Sequence, residues 1–112
     1  PTVEESSKPE EPTGTTSARL VCVGDNLIHD NIYLEALEKG GGVEYDFSYC
    51  YEHVKKYIEG ADVAVLNQET LVTDYCQPST FPTFATPTEL GDEVVDDLGF
   101  NAISMANNHV LD

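Results

Sequence analysis

Basic residues are scarce: five Lys and Arg stand against 21 Asp and Glu, a formal net charge of −16 over 112 residues. A nucleic-acid backbone is repelled by such a chain, so DNA or RNA binding is excluded as a default, whereas solubility and attraction of cations are favoured. Long apolar runs are missing too. The longest, Ala18 to Val23 (interrupted by Arg19) and Val63 to Leu66, fall far short of the roughly 20 residues that a bilayer span requires. Cysteine is sparse and unpatterned. Cys22, Cys50 and Cys76 form no CxxC pair and no metal-finger spacing, and their odd number leaves at least one without an internal partner. A disulfide framework is therefore not indicated, although one Cys50–Cys76 bridge fits an oxidising compartment and free thiols a reducing one. Cys22, inside an apolar run, reads as a small core residue.

What is present fits a small globular unit. The hydrophobic share of 40% and the charged share of 23% exclude collagen, coiled coil and a fully disordered chain, and the length allows one domain at most. Residues 1–17, PTVEESSKPEEPTGTTS, are almost devoid of apolar side chains and cannot offset the entropy of ordering, so they read as a disordered acidic Pro/Ser/Thr linker. Its expected role is a spacer behind a signal or membrane anchor; the opening Pro1 in place of Met agrees with an upstream segment. Folding is expected over residues 18–112.

From Ala18 the pattern alternates between strands and helices. ARLVCVGD reads as a buried strand delivering Gly24 and Asp25 into a loop. Asn31–Lys39 reads as a helix with Ile32, Leu34, Ala36 and Leu37 on one face, ended by Gly40, Gly41 and Gly42. A clearer helix runs from Ser48 or Tyr49 to Gly60, with Tyr51, Val54, Tyr57 and Ile58 at helical spacing. ADVAVL is a second buried strand, and Thr70–Pro87, with Pro78, Pro82 and Pro87, a long irregular loop. Thr88–Leu98 reads as a helix capped by Thr88, ended by Gly99, and Asn101–Met105 as a third strand. The succession predicts an α/β fold, a βαβαβ unit with a parallel sheet and right-handed crossovers. His53 reads as a surface or packing histidine, the tyrosines at 45, 49, 51 and 57 as packing groups, and Asp92-Glu93 and Asp96-Asp97 as solvated helix faces.

Ligands of an open parallel sheet gather beyond the carboxyl ends of its strands. All three predicted strands end in groups able to bind metal or move a proton: Gly24-Asp25-Asn26-Leu27-Ile28-His29, Asn67-Gln68-Glu69, and Asn107-Asn108-His109. Asp25 and Glu69 supply the charged oxygens that hard divalent cations need, Asn108 an amide oxygen, and imidazoles suit Mn, Fe or Zn. Taken singly, each cluster also reads as a satisfied turn, a helix cap or a structural hydrogen-bond network; their coincidence at one edge favours a site.

The blocks Gly24-Asp25, Ala61–Thr70 (ADVAVLNQET) and Leu98–Asp112 (LGFNAISMANNHVLD) together resemble the CapA family of capsule and poly-γ-glutamate synthesis proteins, a branch of the calcineurin-like metallophosphoesterases. The resemblance implies a four-layer α/β/β/α sandwich, of which residues 18–112 would be the N-terminal part. It implies two divalent metals (Mn, Fe, Zn or Mg) and metal ligands Asp25, Asn67 or Glu69, and Asn108. It casts His109 as the group that protonates a leaving oxygen or steadies a phosphoryl oxyanion, with Asp112 orienting it. The family's superfamily usually begins with Asp-x-His, yet Leu27 holds the third position here and His29 lies two residues on, which leaves His29 open between ligand, structural and substrate-facing roles. Further histidine ligands are expected after Asp112, so the chain alone is expected to be inactive. An extracellular or cell-surface location follows from the resemblance. Implied partners are the remainder of the domain, capsule synthase membrane subunits or an anionic polymer, and no nucleic acid. A second copy could add through an exposed sheet edge. Two other readings are a non-catalytic polymer-binding or scaffolding subunit and a γ-glutamyl amide hydrolase or transferase.

Overall fold

The computed structural model describes residues 14–112. Most of the expected linker, residues 1–13, lies outside the described residues; Gly14–Ser17 are exposed and without regular structure. The elements follow in the order β1 (Leu20–Asn26), α1 (Asp30–Lys39), α2 (Ser48–Tyr51), α3 (Lys55–Glu59), β2 (Val63–Gln68), β3 (Leu71–Val72), β4 (Ala85–Thr86), α4 (Glu89–Asp92) and β5 (Ala102–Ser104). Three of the strands form a parallel sheet in the order β1-β2-β5. This is the expected α/β, βαβαβ arrangement.

Register explains which side chains meet. Val21 pairs with Ala64 and Asn26 with Gln68, while Asp25 pairs with Asn67 across an irregularity that falls between Cys22 and Asp25. In β5, Ile103 lies opposite Leu66 and Ser104 opposite Asn67. Successive strand residues point to opposite faces, so Ala64, Leu66 and Gln68 are buried under the helices while Val63 is 42% exposed. The helical face holds the core, built from Ile28, Ala36, Phe47, Ile58, Ala64, Leu66, Leu90, Val94, Leu98 and Phe100. Each large apolar side chain buried there contributes about 1.5–3 kcal/mol. The other face is open. Cys22 belongs to it and is exposed, not a core residue as its apolar neighbours suggested, because the strand alternates and Val21 takes the covered side.

Helix α1 places Asp30 in its first turn and Lys39 in its last, each complementing the helix dipole. Its buried side is formed by Ile32, Tyr33 and Ala36; Leu34, expected on that face, is 57% exposed because it lies two steps of about 100° from Ile32. Gly41 and Gly42 follow with φ of 76° and 77°, a left-handed conformation that ends the helix and suits glycine.

Further expectations are corrected. The helix expected from residue 48 to 60 is two short helices, α2 and α3, separated by a turn at residues 52–54. That turn rotates the second half, so Ile58 is buried while Val54 and Tyr57 are 42% and 59% exposed. Residues 70–87 are less irregular than their prolines suggested: β3 and β4 pair in parallel, and Thr70 and Thr86 are fully buried. Thr88 has helical φ and ψ and caps nothing with its side chain, and beyond α4 the chain continues as a π-helical segment, Glu93–Asp97, before Gly99 at φ 87°. In that segment Glu93 is 8% exposed, contrary to a solvated acidic face. His53 is on the surface, 3.6 Å from Glu52. The Cys50–Cys76 bridge that the sequence left open is not formed; all three cysteines are free.

Candidate functional site

The carboxyl ends of β1 and β2, together with the turn after β5, bring most of the expected residues to one edge. Asp25 and Asn67 are register partners, and the Asn67 Nδ2 group donates to Asp25 Oδ1 at 2.7 Å. Asn107, in the turn after β5, donates from Nδ2 to the Gln68 carbonyl oxygen at 3.0 Å and to Asn67 Oδ1 at 3.4 Å. Its own Oδ1 accepts the His109 N–H at 2.9 Å. One amide side chain therefore ties the third strand end to the second and sets the turn that carries His109.

His109 is held on both sides. Its Nδ1–H donates to Asp112 Oδ2 at 2.7 Å, and Nε2 lies 4.0 Å from Glu69 Oε2. A separation of 4.0 Å is too long for a direct hydrogen bond, and an atom bonded to both groups would sit beside the line that joins them. Asp112 Oδ2 also accepts the Phe84 backbone N–H at 2.7 Å. That backbone donor first, and the His109 hydrogen bond after it, hold the Asp112 carboxyl below the ordinary carboxylate range. A carboxylate fixed on Nδ1 sets the ring so that Nε2 is the working nitrogen.

The long loop closes over this edge. The Phe84 ring, buried at 3% exposure, meets His109 edge-on at 4.9 Å and His29 edge-on at 5.1 Å. His29 shares a 2.9 Å hydrogen bond between Nδ1 and Thr80 Oγ1. His29 is thus a loop anchor beside the site, and its role as ligand or as substrate contact stays open. Asn108, the expected amide ligand, is exposed; its neighbour Asn107 makes the contacts to β2.

Behind the edge runs a buried polar chain. Tyr51 OH donates to Asn26 Oδ1 at 2.8 Å, Asn26 Nδ2 donates to Gln68 Oε1 at 2.8 Å, and Gln68 Nε2 donates to the Thr70 carbonyl at 2.9 Å and to Thr70 Oγ1 at 3.0 Å. Thr86 Oγ1 completes it with a 2.9 Å bond to Thr70 Oγ1. Desolvation raises the Tyr51 phenol well above its usual value, so Tyr51 stays a donor. The roles of Gln68 and Asn107 were missed in the sequence. Period-two alternation along β2 was the available signal for Gln68, since it places Asn67 and Gln68 on opposite faces. Nothing local pointed to Phe84.

In chemical kind the donors suit a hard divalent cation: two carboxylates, Asp25 and Glu69, and the Asn67 amide. In number they do not complete a shell. Among the described residues no three His, Cys, Asp or Glu side chains converge as a metal site, and Asp25 is paired with Asn67 while Glu69 faces His109. What the arrangement itself can do is hold and move a proton at His109 Nε2 toward an atom bound beside it.

A family model described as bacterial capsule synthesis protein PGA_cap matches residues 19–112. No curated protein matches, and no solved structure does. No helix among the described residues is long and apolar enough to cross a membrane.

Proposed function

The chain belongs to the bacterial capsule synthesis proteins of the PGA_cap family, and from that premise we propose that the strand-end cluster is a phosphoesterase-like hydrolytic site serving capsule or poly-γ-glutamate assembly. A role in capsule synthesis follows from the family itself. The observation that carries the finer reading is the Asp112–His109 pair, with Nε2 turned toward Glu69 across a 4.0 Å gap. In this reading an ester oxygen sits beside His109 Nε2, a water adds to the phosphorus and releases a proton to solvent as the ester bond breaks, and His109, protonated on both ring nitrogens and oriented by Asp112, gives its Nε2 proton to the departing oxygen. Asp25, Asn67, Glu69 and Asn108 are this chain's contribution to divalent ions, two in the full reading, which when bound would polarise the ester. The remaining ligands must come from outside the described residues. The setting proposed is the outer face of the cell, with capsule synthase subunits or an anionic polymer as partners.

The test is hydrolysis of chromogenic phosphoesters by the full-length protein with added Mn²⁺, Zn²⁺ or Mg²⁺. His109→Ala is expected to lower kcat by about 10²–10⁴, and His109→Ala with unchanged turnover would remove the reading. γ-Glutamyl amide substrates run in parallel decide whether the same site cleaves amide bonds. One observation favours a non-catalytic scaffold: the Asp25 and Asn67 side chains satisfy each other. In that case neither substrate class is turned over, and equilibrium dialysis shows no divalent ion lost on Asp25→Ala.

A further inference from the structure

On the helical side of the sheet, the loop after α1 and the segment from α4 through residue 97 border an open cavity of about 440 Å³ that shares no residue with the strand-end site. Six carboxylates line it: Glu44, Asp46, Glu89, Asp92, Glu93 and Asp97. Two of them have backbone donors, since Asp46 accepts Ser48 N–H at 3.0 Å and Glu89 accepts Tyr45 N–H at 3.3 Å. Lys39 is the basic residue of the lining. Its ammonium is engaged by groups outside it, 3.8 Å from Glu35 and 5.0 Å above the Tyr49 ring.

Glu93 is the residue that local structure does not account for. It is 8% exposed, and among the described residues no backbone or side-chain N–H donates to its carboxylate. The nearest charge acting on it is a second acid, Asp97, and burial first, then the Asp97 charge, push the Glu93 pKa up. Lys55 offers it only a minor attraction and sits 4.0 Å from Glu59. A covered carboxylate facing other carboxylates is costly unless a cation joins them. It also sits at the first position of the π-helical segment Glu93–Asp97, a form found mostly as single turns at functional sites.

The lining selects among cations. No three of the acids converge as a metal site among the described residues, so the negative charge is spread along the cavity. Tyr45, half-buried and stacked at 6.3 Å and 14° on the core residue Phe47, adds one aromatic ring to the lining, and aromatic faces attract ammonium and guanidinium groups. The volume falls within the range of small-molecule sites, about 300–1,000 Å³. We propose that this cavity binds an extended organic cation, either a free polyamine or the alkylammonium or guanidinium side chain of a partner protein, with Glu93 as the anchoring anion.

Calorimetric titration of the full-length protein near physiological salt tests this, using spermidine in one arm and N-acetyl-lysine amide and N-acetyl-arginine amide in the other. Saturable binding at one site is expected, weakened about tenfold or more in Glu93→Gln and unchanged in Glu52→Gln, an exposed acid outside the cavity. Preference for spermidine identifies a free polyamine, and preference for either amino-acid amide a side chain of a partner. Asp97→Asn serves as the second variant and is expected to weaken binding in the same direction. Absence of saturable binding, equal weakening by Glu52→Gln, or tighter binding of Ca²⁺ at the same residues overturns the proposal.

Discussion

Neighbouring residues of β2 are expected to differ sharply in what they contribute, and Gln68 and Asn67 make the contrast measurable. Gln68 is 6% exposed and joins Asn26 to Thr70 by hydrogen bonds of 2.8 and 2.9 Å. Gln68→Leu keeps the bulk but strands the Asn26 amide and the Thr70 carbonyl. Each buried group left without a partner costs about 1–3 kcal/mol, and the new apolar surface returns about 1–2 kcal/mol. At mid-range the net loss is about 2.5 kcal/mol, equivalent to a fall in Tm of about 10–20 °C for a domain of this size. Asn67→Ala removes a 2.7 Å bond to an exposed aspartate and is expected to cost about 0.5–1 kcal/mol. Urea unfolding followed by far-ultraviolet circular dichroism reads both variants, with the Gln68→Leu midpoint displaced by about 1–2 M. A Gln68→Leu shift no larger than that of Asn67→Ala would refute the assignment of Gln68 to the buried side.

Three more outcomes are expected. Gly40→Ala drives a Cβ into the backbone carbonyl oxygen of Glu44 and should destabilise by about 1–3 kcal/mol; an unchanged melting temperature would show that the turn after α1 yields freely. The Asp112 carboxyl, lowered from 3.8 chiefly by the Phe84 N–H, gives stability that is present above the unfolded pKa and lost as pH falls through the folded one. The Phe84 amide resonance should therefore titrate with a midpoint below 3.8 in an NMR pH series, and a midpoint above it counts against the clamp. Cys22, Cys50 and Cys76 are free and exposed, so a thiol reagent should label all of them without denaturant; intact mass showing a Cys50–Cys76 bridge contradicts this.

Local sequence determined the alternation of strand and helix, the parallel pairing and the edge at which Asp25, Asn67, Glu69, His109 and Asp112 gather, because buried strands, glycine stops and polar strand ends are local patterns. Only the tertiary structure decided what each of those residues touches. Which of Asn107 and Asn108 reaches β2, how Phe84 comes to lie between two histidines, and why Glu93 is covered depend on partners 25 to 55 positions away or on turns whose direction no periodicity encodes. Strand alternation is a property of one segment, whereas the covering of Cys22 or Glu93 depends on what other segments bring to that side, and so exposure is settled by the packed chain.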